Sequence, residues 1–174
     1  MDKRIAVFGT GKIGDGHPVF ALAGRVGEIL AETGFVVVNG GYGGTMLACA
    51  RGARQRGGEV IGVTCSAFGR SGANEYVTTE VVTDSLDERL NKLIELVDGY
   101  VVLPGGTGTL VELAKVWELR NKKFPEADKP IALVGDFWKP VVELIESIDR
   151  DSCGVVEFVA EAEHLGDFFE EALK

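Results

Sequence analysis

Short apolar runs alternate with helix-like segments along the chain, and this alternation most constrains the fold. Five runs are apolar at almost every position, as is typical of strands buried on both faces: RIAVF, FVVV, EVIGV, YVVL and PIALV. The segments between them carry apolar residues at helical spacing, and glycines mark most of the junctions. This order predicts the α/β class, with a doubly wound, mostly parallel sheet that has helices on both faces.

The length and composition predict one domain over residues 1–174. The chain is 45% apolar and 26% charged, and no linker, repeat or low-complexity segment divides it. Its net charge of −9 argues against non-specific nucleic-acid binding but not against a small phosphorylated ligand, because backbone amides can bind anions. No signal peptide or run of membrane-spanning length is visible, so we expect a cytoplasmic protein without a membrane partner.

The cysteines and histidines predict neither disulfides nor a metal site. Cys49, Cys65 and Cys153 are widely spaced, odd in number and without C-x-x-C spacing, which is typical of small core residues in a reducing compartment. His17 and His164 have no neighbours at metal-ligand spacing. We therefore expect no bound metal.

A glycine-rich stretch follows the first predicted strand. Three glycines there spell G-x-G-x-x-G: Gly9, Gly11 and Gly14. A dinucleotide site would need the helix to begin inside the motif, but Pro18 is the better first helical residue. It would also need an acid after the second strand, which ends instead at Asn39. We interpret the stretch as a glycine-rich loop in which Gly9 and Thr10 are candidate ligand contacts.

The second predicted strand leads into another glycine cluster, NGGYGGTM, over residues 39–46. The candidate phosphate contacts here are Gly41, Gly43, Gly44 and Thr45, and the amides of Gly44 and Thr45 are expected to point outward. A tight strand-to-helix turn would explain the same glycines, and the pattern alone favours neither reading.

The third cluster, LPGGTGTLVE, spans residues 103–112 and again joins a buried strand to a helix. Its glycines and threonines predict a phosphate-binding loop: Gly105, Gly106, Thr107, Gly108 and Thr109. Glu112 lies one turn further on and is a candidate catalytic carboxylate. Thr109 and Glu112 also fit a capping box, in which the glutamate has only a structural role.

These residues resemble a known family. PGGTGTLVE matches P-G-G-x-G-T-x-x-E, the signature of the lonely-guy phosphoribohydrolases, often labelled lysine-decarboxylase-like. That family has an arginine in the preceding helix, and Arg89 stands fifteen positions before Pro104. NGGYGGTM resembles the family's first glycine loop, and the resemblance extends from about Ile5 to Val134.

The resemblance implies a Rossmann-like enzyme that hydrolyses the N-glycosidic bond of a nucleoside 5′-monophosphate, without a cofactor and without lysine decarboxylation. It implies that Glu112 and Arg89 are catalytic and that the 5′-phosphate lies on the loop at Gly105. The implied partners are a small-molecule nucleotide and a second copy in a homodimer. The apolar residues Val116, Trp117 and Leu119 could form the dimer contact, although packing inside the monomer would explain them equally well.

The sequence also departs from the family's best-known members. Val111 stands where they have a first acid, Thr107 where an aromatic residue is common, and Leu86-Asp87 where Met-His is common. A related branch resembles molybdenum-cofactor carrier proteins, which share the glycine loops and bind without hydrolysis. A non-catalytic carrier-like binding protein is therefore the alternative to the hydrolase, and a nucleotide-sensing subunit is a third hypothesis without a supporting feature.

Overall fold

The computed structural model describes residues 2–124 and 128–174, and within them strands and helices alternate as predicted. The strands are β1 (Arg4–Phe8), β2 (Val36–Asn39), β3 (Val60–Cys65), β4 (Thr79–Thr83), β5 (Gly99–Val102), β6 (Ile131–Val134) and β7 (Glu157–Val159). The α-helices are α1 (Pro18–Glu32), α2 (Thr45–Gln55), α3 (Leu86–Glu95), α4 (Thr107–Asn121), α5 (Lys139–Glu146) and α6 (Leu165–Ala172).

The strands form one parallel sheet in the order β4-β3-β2-β1-β5-β6-β7. The chain builds the sheet outward from β1 in one direction and then returns to pair β5 with the other side of β1, in register at Ala6 and Tyr100. The strand order thus reverses between β1 and β5. Ligands bind at such a reversal, beyond the carboxyl ends of the strands. The predicted Rossmann-like α/β fold is confirmed.

Each face of the sheet has its own apolar core. Helices α1, α2 and α6 cover one face, and helices α3, α4 and α5 cover the other. Val116 and Trp117 of α4 are buried in the second core, and the Trp117 indole N–H donates to the Ser152 carbonyl at 3.2 Å. Of the two explanations for these residues, packing inside the monomer is the one that the structure shows, and Leu119 is partly buried against the same core.

Helices α1 and α2 pack backbone to backbone, and glycines make this possible. A Cβ atom on Gly27 would overlap the Cys49 carbonyl, and one on Gly52 would overlap the Gly24 carbonyl. Cys49 is fully buried in this contact, and burial raises the pKa of its thiol to about 12. The residue is therefore a small neutral core residue, as expected. The close contact fixes α2, and with it the glycine loop that precedes α2.

In the described part of the chain, none of the helices has the length and apolar character needed to cross a bilayer.

Candidate functional site

Two of the predicted glycine loops interlock at the carboxyl edge of the sheet. Gly9 leaves room for the Thr45 side chain, since an added Cβ would lie 2.5 Å from its Oγ1. Gly44 has a positive φ of 65°, and a Cβ there would overlap the Thr10 carbonyl. Both glycines are thus required for the loops after β1 and β2 to contact each other.

The expectation of an outward-pointing Thr45 amide is wrong. Its amide and its hydroxyl both donate to the Thr10 carbonyl, at 2.9 and 3.1 Å, because Thr45 fastens the two loops together. Gly41 is engaged in a similar way: its amide donates to Asn39 Oδ1 at 2.8 Å. Gly43 and Gly44 differ from these two, since their amides make no hydrogen bond to any residue that the structure describes.

Helix α4 begins earlier than the capping-box pattern suggested. Its N-cap is Gly106 and its first helical residue is Thr107, so Thr109 lies inside the first turn rather than at the cap. A capping residue must have a non-helical backbone, which Thr109 lacks. The predicted capping box between Thr109 and Glu112 therefore does not form, and the capping explanation for Glu112 is removed.

The start of α4 presents a row of unpaired donors. The amides of residues 105–109 make no hydrogen bond to the described residues, and Leu110 is the first to bond back, to the Gly106 carbonyl at 2.9 Å. The Thr109 side chain is buried against Gly105, where an added Cβ would overlap it. Free amides at a helix N-terminus favour an anion. The free amides are therefore compatible with the predicted phosphate loop, which stays a prediction.

The two predicted catalytic residues lie beside each other. Arg89 of α3 is only 8% exposed and its Nε donates to the Val63 carbonyl at 2.8 Å. Its Nη1 lies 3.9 Å from Glu112 Oε1. Gly40 makes room for the guanidinium, since a Cβ there would overlap Nη2 of Arg89. Two residues twenty-three positions apart in the sequence thus form one charged pair at the end of the sheet.

Burial shifts the pKa of both residues of this pair. It raises the pKa of Glu112 to about 7, although the nearby Arg89 opposes the rise. Burial likewise lowers the pKa of Arg89 from its ordinary value, and here Glu112 opposes the change. A carboxyl group that changes charge near neutral pH can donate or accept a proton during a reaction. The pair therefore has the chemistry of an acid-base site.

An aromatic pair that sequence reasoning missed lies next to Arg89. The ring centroids of Tyr42 and Phe68 are 6.0 Å apart, and the Arg89 guanidinium carbon is 5.7 Å from each ring. The Tyr42 hydroxyl accepts from the Cys65 amide at 2.8 Å and donates to the Cys65 carbonyl at 3.2 Å. The signal for Tyr42 was present: it is the one bulky residue among the glycines of NGGYGG.

The chain between β3 and β4, residues 66–78, carries Phe68 of the aromatic pair and adds a second arginine. The guanidinium carbon of Arg70 lies 4.7 Å from the Tyr42 ring centroid and 5.8 Å from that of Phe68. Asn74 anchors the loop by donating to the carbonyls of Gly41 and Tyr42, at 3.1 and 2.8 Å. An open cleft of about 570 Å³ lies here, lined by Tyr42, Gly43, Gly69, Arg70, Ser71, Gly72, Ala73 and Asn74.

No cluster of three or more histidine, cysteine or acidic residues is placed to hold a metal ion within residues 2–124 and 128–174. His17 has a structural contact instead: it is the N-cap of α1, and its Nδ1 accepts from the Val19 amide at 3.1 Å.

Comparison with known proteins finds relatives in sequence and solved structures with a similar fold. The chain is 37% identical over 119 residues to the cytokinin riboside 5′-monophosphate phosphoribohydrolase of Mycobacterium tuberculosis, covering 67% of this chain and 62% of that one. It is 30% identical to the protein of the same name from Rhodococcoides fascians, covering 83% and 74% of the two chains. The fold is similar to that of the molybdenum cofactor binding protein of Rippkaea orientalis, with a TM-score of 0.82, 23% identity and coverage of 100% and 99%.

A profile of the SLOG cluster4 family matches residues 2–149, which is most of the chain. This match and the relatives named phosphoribohydrolase agree with the family resemblance that the motif PGGTGTLVE suggested. The chain belongs to the SLOG cluster4 family of lonely-guy-like proteins.

Proposed function

We propose that this protein hydrolyses the N-glycosidic bond of a nucleoside 5′-monophosphate, yielding free base and ribose 5-phosphate. The observation that carries the proposal is the placement of the Glu112 carboxyl, 3.9 Å from Arg89 and one helical turn from the unpaired amides of α4. A phosphate held by those amides leaves the sugar of the same molecule within reach of Glu112. Relatives named as phosphoribohydrolases support this reaction class.

Glu112 and Arg89 have different roles in the proposed reaction. Loss of the base leaves positive charge on the ribose, as in the hydrolysis of sugars generally. Ionised Glu112 stabilises that charge and takes a proton from the attacking water, whose oxygen bonds to the sugar carbon. The proton then passes to the nitrogen of the departed base, which gives the free base and returns Glu112 to its ionised form. Arg89 keeps the carboxylate available as an anion and contacts the phosphate, the ribose or the departing base. The reaction consumes only water, and we expect no cofactor requirement.

The test is a panel of nucleoside 5′-monophosphates, with chromatography of the released base, run beside the matching nucleosides. Phosphate binding far from the reacting bond contributes to transition-state stabilisation, so nucleosides should react much more slowly than nucleotides. Equal rates on both would contradict phosphate binding at residues 105–109. An absence of base release from every nucleotide would overturn the hydrolase proposal itself.

A carrier-like binding protein is the second candidate, and the full-length similarity to the molybdenum cofactor binding protein favours it. A ligand that binds only the folded state must raise the melting temperature. The carrier function therefore predicts that a phosphorylated pterin or a nucleotide raises the melting temperature while no base is released. Base release in the same samples would decide for the hydrolase.

A further inference from the structure

Arg70 is a cation whose contacts leave its hydrogen-bond donors free. Its guanidinium lies over the Tyr42 ring, and it makes no hydrogen bond or ion pair with any side chain in the described ranges. Its charge is near enough to Arg89 to disfavour the protonated form of that residue. Two cations on the same pair of rings repel each other unless a ligand group lies between or beside them. Arg70 is exposed and lines the cleft, so its hydrogen-bond donors are accessible to an acceptor group of a ligand.

The groups of the site are connected by a series of contacts. The free amides of residues 105–109 lead into α4, which carries Glu112, and Glu112 is 3.9 Å from Arg89. Arg89 contacts the rings of Tyr42 and Phe68, and Arg70 contacts the same rings. If a nucleotide binds as proposed above, with its phosphate on the amides and its sugar at Glu112, its base lies on the side of Arg89 where the two rings and Arg70 are found.

The donors of Arg70 indicate which base would fit beside it. A guanidinium presents only donors, in a planar fork. A 6-oxopurine offers two neighbouring acceptors, O6 and N7, which match that fork, whereas a 6-aminopurine offers a donor at position 6. The cleft around Arg70 is also lined by small residues and by the polar residues Ser71 and Asn74, with Tyr42 beside them.

We infer that Arg70 is a specificity-determining residue that selects nucleotides with a 6-oxopurine base, IMP and GMP, over AMP and its N6-alkylated derivatives. The inference rests on the proposed hydrolase function for its orientation of the nucleotide. Gly69 and Gly72, with positive φ of 62° and 80°, set the backbone on either side of Arg70 so that its side chain reaches over Tyr42.

The experiment compares kcat/KM for IMP, GMP, AMP and an N6-alkylated AMP in the wild-type protein and in Arg70→Gln. The wild type should prefer the 6-oxopurine nucleotides by about tenfold or more, the scale of one bidentate base contact. A glutamine amide matches the N6 and N7 edge of adenine, so Arg70→Gln should reduce or reverse that preference. The matched control is Arg54→Gln, an exposed arginine in the last turn of α2, which should leave the preference unchanged.

A binding measurement separates this inference from the proposed reaction. Glu112→Gln protein should turn nucleotides over about a hundredfold more slowly, and calorimetry on it gives the dissociation constants of IMP and AMP with and without Arg70→Gln. Tighter binding of IMP that depends on Arg70 supports the inference even when no nucleotide is hydrolysed. A preference for AMP in the wild type, or a preference that Arg70→Gln leaves unchanged, would overturn it while base release still upheld the hydrolase.

Discussion

Glu112 is the residue whose environment departs furthest from its behaviour in water. Its pKa of about 7 in the folded protein lies above the ordinary value of 4.5. Stability that depends on the neutral carboxyl is therefore fully present below about pH 4.5 and is lost as the pH rises through 7. Above about pH 7 the ionised Glu112 carboxylate therefore destabilises the folded protein, although the proposed reaction requires that ionised form.

Glu112→Gln should separate this cost from catalysis. The glutamine amide stays neutral at every pH. At pH 8 the free energy of unfolding of the variant should therefore be roughly 1–3 kcal/mol higher than that of the wild type. The gain should shrink at pH 5, where wild-type Glu112 is largely protonated. Activity should fall about a hundredfold or more, the scale of a lost acid-base or electrostatic group. Urea unfolding at both pH values and base release at pH 8 are the measurements, and near-normal turnover would refute the mechanism.

The pH dependence of kcat/KM should follow the same group. If Glu112 reacts as the carboxylate, kcat/KM rises with pH and levels off with a midpoint near 7, apart from titration of the substrate phosphate near pH 6. Arg89 lowers the pKa of Glu112, so Arg89→Gln should move the midpoint upward. Carbon-detected NMR of the Glu112 carboxyl checks the shift independently of rate. A midpoint that stays in place in Arg89→Gln would show that the titrating group is another residue.

At the scale of elements, the glycines of the α1–α2 contact make the sharpest prediction. Gly27→Ala places a Cβ in the Cys49 carbonyl, and backbone cannot give way cheaply, so the variant should lose about 1–3 kcal/mol or more of unfolding free energy. Gly24→Ala on the same helix is the control, because its Cβ would lie 3.7 Å from the Ala48 carbonyl, an ordinary contact. Alanine's helix propensity should make Gly24→Ala neutral or slightly stabilising. Equal losses in both variants would contradict the close contact.

The strands and helices were predictable because their signals are local. Strands such as Ile131–Val134 are apolar throughout, and Pro18 marks the start of α1 as expected. The start of α4 was less predictable. The spacing of Thr109 and Glu112 suggested a cap, but the glycines before them let the helix begin at Thr107, and the Thr109 side chain packs against Gly105. That choice depends on a tertiary contact, which a local pattern does not contain.

The candidate site was predictable only in part, for the same reason. The motif and its spacing to Arg89 singled out Glu112 and Arg89 as candidate catalytic residues, but the sequence did not show that their side chains lie 3.9 Å apart. The arrangement of Tyr42, Phe68 and Arg70 could not be read from the sequence. The loop that carries Phe68 and Arg70 takes its shape from Asn74, which reaches back thirty-three residues to the Gly41 carbonyl.

For the whole molecule, the homodimer remains a prediction from the family resemblance. Light scattering at micromolar concentration should give twice the mass of one chain. Val116 and Trp117 lie in the monomer core, so the contact must use other residues. Exposed apolar side chains of α5 and its C-terminal flank, Leu144 and Ile148, are 69% and 88% accessible in the single chain. A mass of one chain at that concentration would contradict the prediction.

Gly40 has a consequence for how relatives of this protein diverge. A Cβ at this position would meet the tips of two flexible side chains, Arg89 and Met46, rather than backbone. The fold can absorb such a change, but the guanidinium must leave its place beside Glu112. A single codon change to alanine would thus uncouple the charged pair while every residue of the PGGTGTLVE motif stayed intact. Retention of the motif is therefore insufficient evidence of retained chemistry, and position 40 has to be read together with positions 89 and 112.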